Sequence, residues 1–88
     1  ISLDNSDDMA HASLANAYHK LGDEDKAEKH HEEAIKLDPD YAPHHFNYAN
    51  TLYDIGRTDE ALAGYKKAYE LDNTLGEAKE MIAKLGSK

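Results

Sequence analysis

The sequence predicts an all-α fold, a solenoid of antiparallel helix hairpins with two hairpins complete and one further helix behind them. Three observations carry this. The stretch Asn16 to Asp23, with Ala27, Ala34 and Leu37 after it, returns 34 residues later. Asn16 maps to Asn50, Gly22 to Gly56, Ala27 to Ala61, Ala34 to Ala68 and Leu37 to Leu71, with no gap. Within each unit the apolar residues recur at three- and four-residue steps, the spacing of one helix face, and nothing alternates as a strand does. The connections left between these segments are two to four residues long, which forces neighbouring helices to run antiparallel. A period of this length is the mark of a helical repeat array, in which each unit buries its apolar face against the next.

The elements follow in order. Residues 1–7 read as the tail of a preceding repeat or a leader, because Ile1 to Asn5 lie one period before Ile35 to Pro39. Ser6 is the expected N-cap of a first helix over residues 7–21, with Asp7 and Asp8 complementing the helix dipole. Met9, Leu14, Ala15, Tyr18 and Leu21 are its expected apolar stripe, and Gly22 its stop. Asp23 caps a second helix over residues 24–37, with Ala27, His30 or His31, Ala34 and Leu37 inward. Lys29 with Glu33, and Glu32 with Lys36, are four-residue charge pairs on its outer face. Asp38, Pro39 and Asp40 end it, since proline cannot continue the ladder.

The second unit repeats the plan. Asp40 is the expected cap of a third helix, with Pro43 tolerated in its first turn. Tyr48, Ala49, Leu52 and Ile55 face inward, and Gly56 ends it. Thr58 caps a fourth helix over residues 59–71, with Ala61, Leu62, Tyr65, Ala68 and Tyr69 inward. Thr74 and Glu77 form a capping-box pattern for a fifth helix striped by Leu75, Ala78, Ile82 and Leu85. The predicted division is a tail at 1–7, repeats at 8–41 and 42–75, and a capping helix or partial third repeat at 76–88.

This pattern resembles the tetratricopeptide repeat family. Leu14, Ala15, Tyr18, Gly22, Ala27, Ala34 and Pro39 stand at the family's positions in the first unit. Ala49, Gly56, Ala61, Tyr65 and Ala68 do so in the second. The resemblance implies a right-handed superhelix of two full repeats plus a C-terminal helix. The alanines are expected where helices approach closely, Ala15 on Ala27 and Ala49 on Ala61 within hairpins, and Ala34 and Ala68 at the next helix. The sequence departs from the family at His11 and His45, where a tryptophan-like aromatic is usual, at His31, which corresponds to Tyr65, and at Asn73, which replaces the closing proline. Two full repeats are fewer than such arrays usually need, so modest stability or self-association is expected.

Composition narrows the function. The formal charge is −8, from 18 acidic and 10 basic residues. That opposes binding to nucleic-acid phosphates or to an anionic membrane, and favours neutral or basic protein segments. There is no cysteine, which fits a reducing cytosol as well as a periplasm. The chain does not begin with Met, and it reads as a piece of a longer protein. The six histidines lack metal-ligand spacing: His30 with His31, and His44 with His45, are adjacent and point about 100° apart on a helix. His11, His31 and His45 are expected as half-buried packing residues and the other three at the surface. No nucleophile elbow or phosphate loop is present, so neither enzyme activity nor a cofactor or metal is predicted.

The remaining candidate is the concave surface lined by the first helix of each pair. Its solvent-side residues are expected to include Met9, Ala12 and Ser13, and on the fifth helix Glu77, Glu80 and Lys84. The peptide-binding residues proposed from the sequence are Asn16, His19, Lys20, Phe46, Asn47, Asn50, Tyr53, Asp54 and Met81. An asparagine amide both donates and accepts, so it can hold a peptide backbone whatever its side chains. The carboxylate clamp of co-chaperone repeats is excluded: Ala12, Glu77 and Met81 stand at its matching positions and supply no cation. The asparagine-bearing phrases are more similar to those of the O-linked N-acetylglucosamine transferase group. The expected function is a protein–protein interaction module of scaffold type. The alternatives are a structural spacer or self-association module, or a substrate-recruiting part of a larger enzyme such as a glycosyltransferase.

Overall fold

Five helices follow one another: α1 (Leu3–Leu21), α2 (Glu24–Leu37), α3 (Ala42–Asp54), α4 (Thr58–Leu71) and α5 (Gly76–Gly86). The structure is a computed structural model that describes residues 3–86, with side chains from Asp8 onward. Among the described residues there is no strand. Helices α1 and α2 form one hairpin and α3 and α4 a second; α2 and α1 both pack on α3, and α5 packs on α4.

Each hairpin turns in the same way. Gly22 and Gly56 adopt φ of +88° and +91°, a conformation that costs glycine nothing. This lets the Asp23 and Arg57 amides donate back to the Tyr18 and Leu52 carbonyls, each at 2.9 Å. The Gly22 and Gly56 amides donate to His19 and Tyr53. These paired bonds satisfy the last carbonyls of α1 and α3 and fix the direction in which the next helix departs. Asp23 then caps α2 by accepting from the Lys26 amide, as its sequence position predicts.

Four other boundaries differ from expectation. Helix α1 begins at Leu3, so Ser6 lies inside it and is not its N-cap; Ile1 and Ser2 fall outside the described residues. Tyr41, not Asp40, occupies the N-cap of α3, and Arg57, not Thr58, that of α4; neither supplies a side-chain cap. Thr74 does not build a capping box. Its amide and hydroxyl both donate to Asp72 Oδ1, and these bonds hold the Asp72 carboxyl below the usual range. Short polar side chains compete for nearby backbone donors, and here the tighter local turn wins. Among the described residues the predicted Lys29–Glu33 and Glu32–Lys36 pairs do not form; Lys26–Asp23, Lys67–Glu70 and the Arg57 pairs do.

Small residues fill the centre. Ala15, Ala27, Ala49, Ala61, Ala68 and Ala78 are fully enclosed, and Ala34 nearly so. Alanine at these places lets the helix axes approach. The larger apolar mass lies in the second half: Ala49, Leu52, Ala61 and Tyr65 form a cluster, with Phe46, Tyr48, Tyr53, Ile55, Met81, Ile82 and Leu85 packed around it. The first hairpin is filled differently. His30 stacks between His11 and Tyr18, at 5.1 and 5.4 Å between centroids, and His11 Nδ1 and His30 Nδ1 share a hydrogen bond of 2.9 Å. One period on, His30 becomes Gly64. A Cβ there would stand 3.0 Å from the Ala49 Cβ, so α3 and α4 are in contact where the first hairpin interposes an imidazole.

The apolar stripe of α1 is displaced from its predicted phase. Met9, Leu14 and Leu21 are exposed, Leu21 to 79%. The buried side runs through Asp8, Ala12 and Ala15 instead, so Ala12 is enclosed and not solvent-facing. Leu14 and Leu21 correspond to Tyr48 and Ile55, which pack on α2 and the apolar cluster. Among the described residues no helix covers α1 as α2 covers α3. Leu37, expected to face inward, is half exposed.

The histidines also redistribute. His31 is fully buried, beyond the half-burial expected of it. His44, expected at the surface, is buried as well, because it points at α1 and meets Asp8. His19 and His30, also expected at the surface, are half-buried.

Candidate functional site

Helices α3 and α5 leave a hollow of about 300 Å³ between them, lined by Phe46, Asn50, Glu77, Glu80 and Met81. Phe46 meets the buried Tyr65 ring edge-on, at 5.7 Å between centroids. Met81 packs on the same cluster from α5. Both side chains are therefore held by the core while one side of each remains open. At the rim Glu77 and Glu80 are exposed, three residues apart on α5, and neither carboxylate pairs with a described cation. The hollow thus has an apolar floor, one amide and a negative edge.

Asn50 reaches this hollow with its Oδ1 already accepting a hydrogen bond. The Tyr65 hydroxyl donates to its Oδ1 at 2.5 Å. Burial pushes the Tyr65 phenol up to about 12, so it remains a donor at neutral pH. The Asn50 amide keeps its N–H donors for another group. Asn16, one period earlier, is exposed. His31 stands where Tyr65 would be, and it bonds to Thr51 instead.

The predicted site residues separate into four groups. Phe46, Asn50 and Met81 meet in one hollow. His19 and Asp54 are joined to each other, His19 Nε2 lying 3.0 Å from Asp54 Oδ2, while His19 Nδ1 lies 2.8 Å from Glu24 Oε1. Tyr53 lies under Lys84, whose Nζ is 5.4 Å from the ring centroid. Asn16 and Lys20 are exposed and Asn47 is half-buried, and none of these lines the hollow. Glu77 and Glu80 carry its charge and were legible as solvent-side residues of the fifth helix.

Polar contacts join the two hairpins. His31 Nε2 and Thr51 Oγ1 are 2.9 Å apart in the interior, and the His31 ring stacks on Tyr48. Burial holds the His31 imidazole down at about 4, so it is neutral there. The Tyr48 hydroxyl donates to Glu28 Oε2, and Arg57 grips both Glu28 oxygens at 2.9 Å while also donating to Glu60. Arg57, then Tyr48, holds the Glu28 carboxyl below its ordinary range. Asp8 and His44 form a buried pair at 2.6 Å, and among the described residues His44 Nδ1 has no partner. The sequence placed Asp8 only as a first-turn carboxylate; its partner is 36 residues away.

A family model described as Tetratricopeptide repeat matches residues 7–74, three-quarters of the chain. The chain belongs to the tetratricopeptide repeat family. No curated protein matches it. Tetratricopeptide repeats are generally protein–protein interaction modules and typically non-catalytic. Among the described residues no group of three or more His, Asp or Glu side chains is placed to hold a metal. No described helix is long and apolar enough to cross a membrane.

Proposed function

We propose that this tetratricopeptide repeat pair is a scaffold that seats a short segment of a partner protein between α3 and α5. The observation that carries the reading is the hollow over Phe46 and Met81 with Glu77 and Glu80 at its edge. An apolar side chain of the partner would cover the Phe46 and Met81 faces, and the Asn50 amide would donate to a backbone carbonyl. Two carboxylates one turn apart, unpaired among the described residues, favour a Lys or Arg beside that apolar residue and disfavour an acidic one. The overall charge of −8 acts in the same direction. Asn16, Lys20 and Asn47 extend the surface without belonging to the hollow.

Selection from a random peptide display library tests the reading. The expected peptides combine an apolar residue with a neighbouring Lys or Arg, perturb the amide resonances of Phe46, Asn50 and Met81, and bind at least tenfold more weakly to Glu77→Lys/Glu80→Lys. Binding peptides that leave those resonances in place would overturn it.

A second reading, self-association, is favoured by a separate observation: Met9, Leu14 and Leu21 stand exposed on α1. Sedimentation at several concentrations tests it. A concentration-dependent dimer abolished by Leu14→Glu supports it, and a monomer at every concentration opposes it.

A further inference from the structure

The His19 ring lies between carboxylates from two different helices. Glu24 approaches Nδ1 at 2.8 Å from the first turn of α2, and Asp54 approaches Nε2 at 3.0 Å from the last turn of α3. A carboxylate only accepts hydrogen bonds. A neutral imidazole carries one N–H, so it can satisfy one of these groups while its lone pair faces the other. Only the imidazolium donates to both. We propose that His19 is a proton-operated strut between the two hairpins, closed when the ring is protonated and released at Asp54 when it is neutral.

The two carboxylates are not equivalent, and this decides which contact opens. Glu24 is five residues from His19 across the tight Gly22 turn, within the same hairpin. Asp54 is 35 residues away, in the other hairpin, and its side chain is more exposed, 57% against 34%. The local contact costs less chain entropy to keep, so the neutral ring keeps Nδ1–H on Glu24 and lets Asp54 go. Both carboxylates that touch the ring favour its protonated, closed form. Asp54 first and Glu24 second raise the His19 imidazole above its ordinary 6.5. His31 on α2 feels the His19 charge, is neutral down to about 4, and so carries no charge in the range where His19 titrates.

The chain contains no cysteine, so a spin-label pair can be placed cleanly. Lys29 on α2 and Lys66 on α4 are exposed and serve as Lys29→Cys/Lys66→Cys. Imidazole NMR of the unlabelled chain should show both His19 nitrogens protonated below a midpoint above 6.5, and Asp54→Asn should shift that midpoint down. The label-to-label distance should lengthen or broaden as pH rises through the wild-type midpoint, and should not respond there in His19→Gln. A His19 midpoint at or below 6.5, or a distance distribution unchanged across it, would overturn the proposal. Neither readout needs a partner, so both stand apart from the outcome of peptide selection.

Discussion

The Tyr65 hydroxyl donates to Asn50 Oδ1 at 2.5 Å, joining a fully buried ring of α4 to an amide of α3 that reaches the hollow. Asn50 and Asn16 occupy the same place in the two repeats, yet only Asn50 is tied to the core. Replacing Asn50 by Ala leaves a partly buried hydroxyl without its acceptor, so the chain should lose about 1–2 kcal/mol of stability. Asn16→Ala should fall within about 0.5 kcal/mol of the parent. Urea unfolding of the two variants checks this. Equal losses would contradict the assigned roles.

Gly64 and Gly76 offer a matched test of helix contact. At Gly64 a Cβ would stand 3.0 Å from the Ala49 Cβ and 3.5 Å from the His45 carbonyl oxygen; at Gly76 nothing lies within 4 Å. Alanine gains about 1 kcal/mol of helix propensity over glycine in a helix interior. Overpacking costs about 1–3 kcal/mol, and the atoms opposing Gly64 belong to a helix that cannot yield cheaply. Gly64→Ala should therefore lower the melting temperature, and Gly76→Ala should leave it unchanged or raise it.

Two histidines give stability opposite dependences on pH. His31 is held neutral by burial at about 4, against 6.5 in the unfolded chain. Its contribution is present above 6.5 and is lost as pH falls toward 4, because the unfolded state takes up the proton first. His19 is raised by Asp54 and Glu24, so its contribution is present below 6.5 and is lost as pH rises through its folded midpoint. Stability should peak near the ordinary histidine value and fall on both sides. Denaturant midpoints measured across this range check the shape. His31→Tyr, which installs the residue of the second repeat, should flatten the acid side, and His19→Gln the alkaline side.

The buried Asp8–His44 pair, at 2.6 Å, is the one whose disruption should be felt most. Removing one member strands the other, at a cost of about 3–5 kcal/mol. Asp8→Ala and His44→Ala should each unfold the chain at markedly lower denaturant. The double variant should lose less than the two single losses combined, as a double-mutant cycle would measure.

Much of the fold was legible because it is written locally. Gly22 and Gly56, the alanines Ala15, Ala27, Ala34, Ala49, Ala61 and Ala68, and Pro39 act through their own backbone or size, and each does what its spacing implies. The phase of α1 was not legible. Leu14 and Leu21 read as core by hydropathy, but burial depends on which neighbours a helix has, and α1 packs on α2 and α3 through Asp8, Ala12 and Ala15. Of the five residues that line the hollow, Phe46, Asn50 and Met81 were singled out in the sequence, and Glu77 and Glu80 read there as solvent-side. Phe46, Asn50 and Met81 share a helix-face logic that survives folding. His19 and Asp54 also face outward together, but a pairing 35 residues apart in sequence cannot be seen until both ends of the hairpins are placed.

The joint between the hairpins has a mechanical consequence. His31–Thr51, Tyr48–Glu28, Arg57–Glu28 and His19–Asp54 are short, directional bonds, whereas each hairpin is held by close-packed helix faces. Directional bonds fail over a small displacement, and packed hydrocarbon resists over a longer one. Pulled along its length, the chain should behave as two stiff plates on a brittle hinge, extending in one abrupt step between α2 and α3 before either plate deforms.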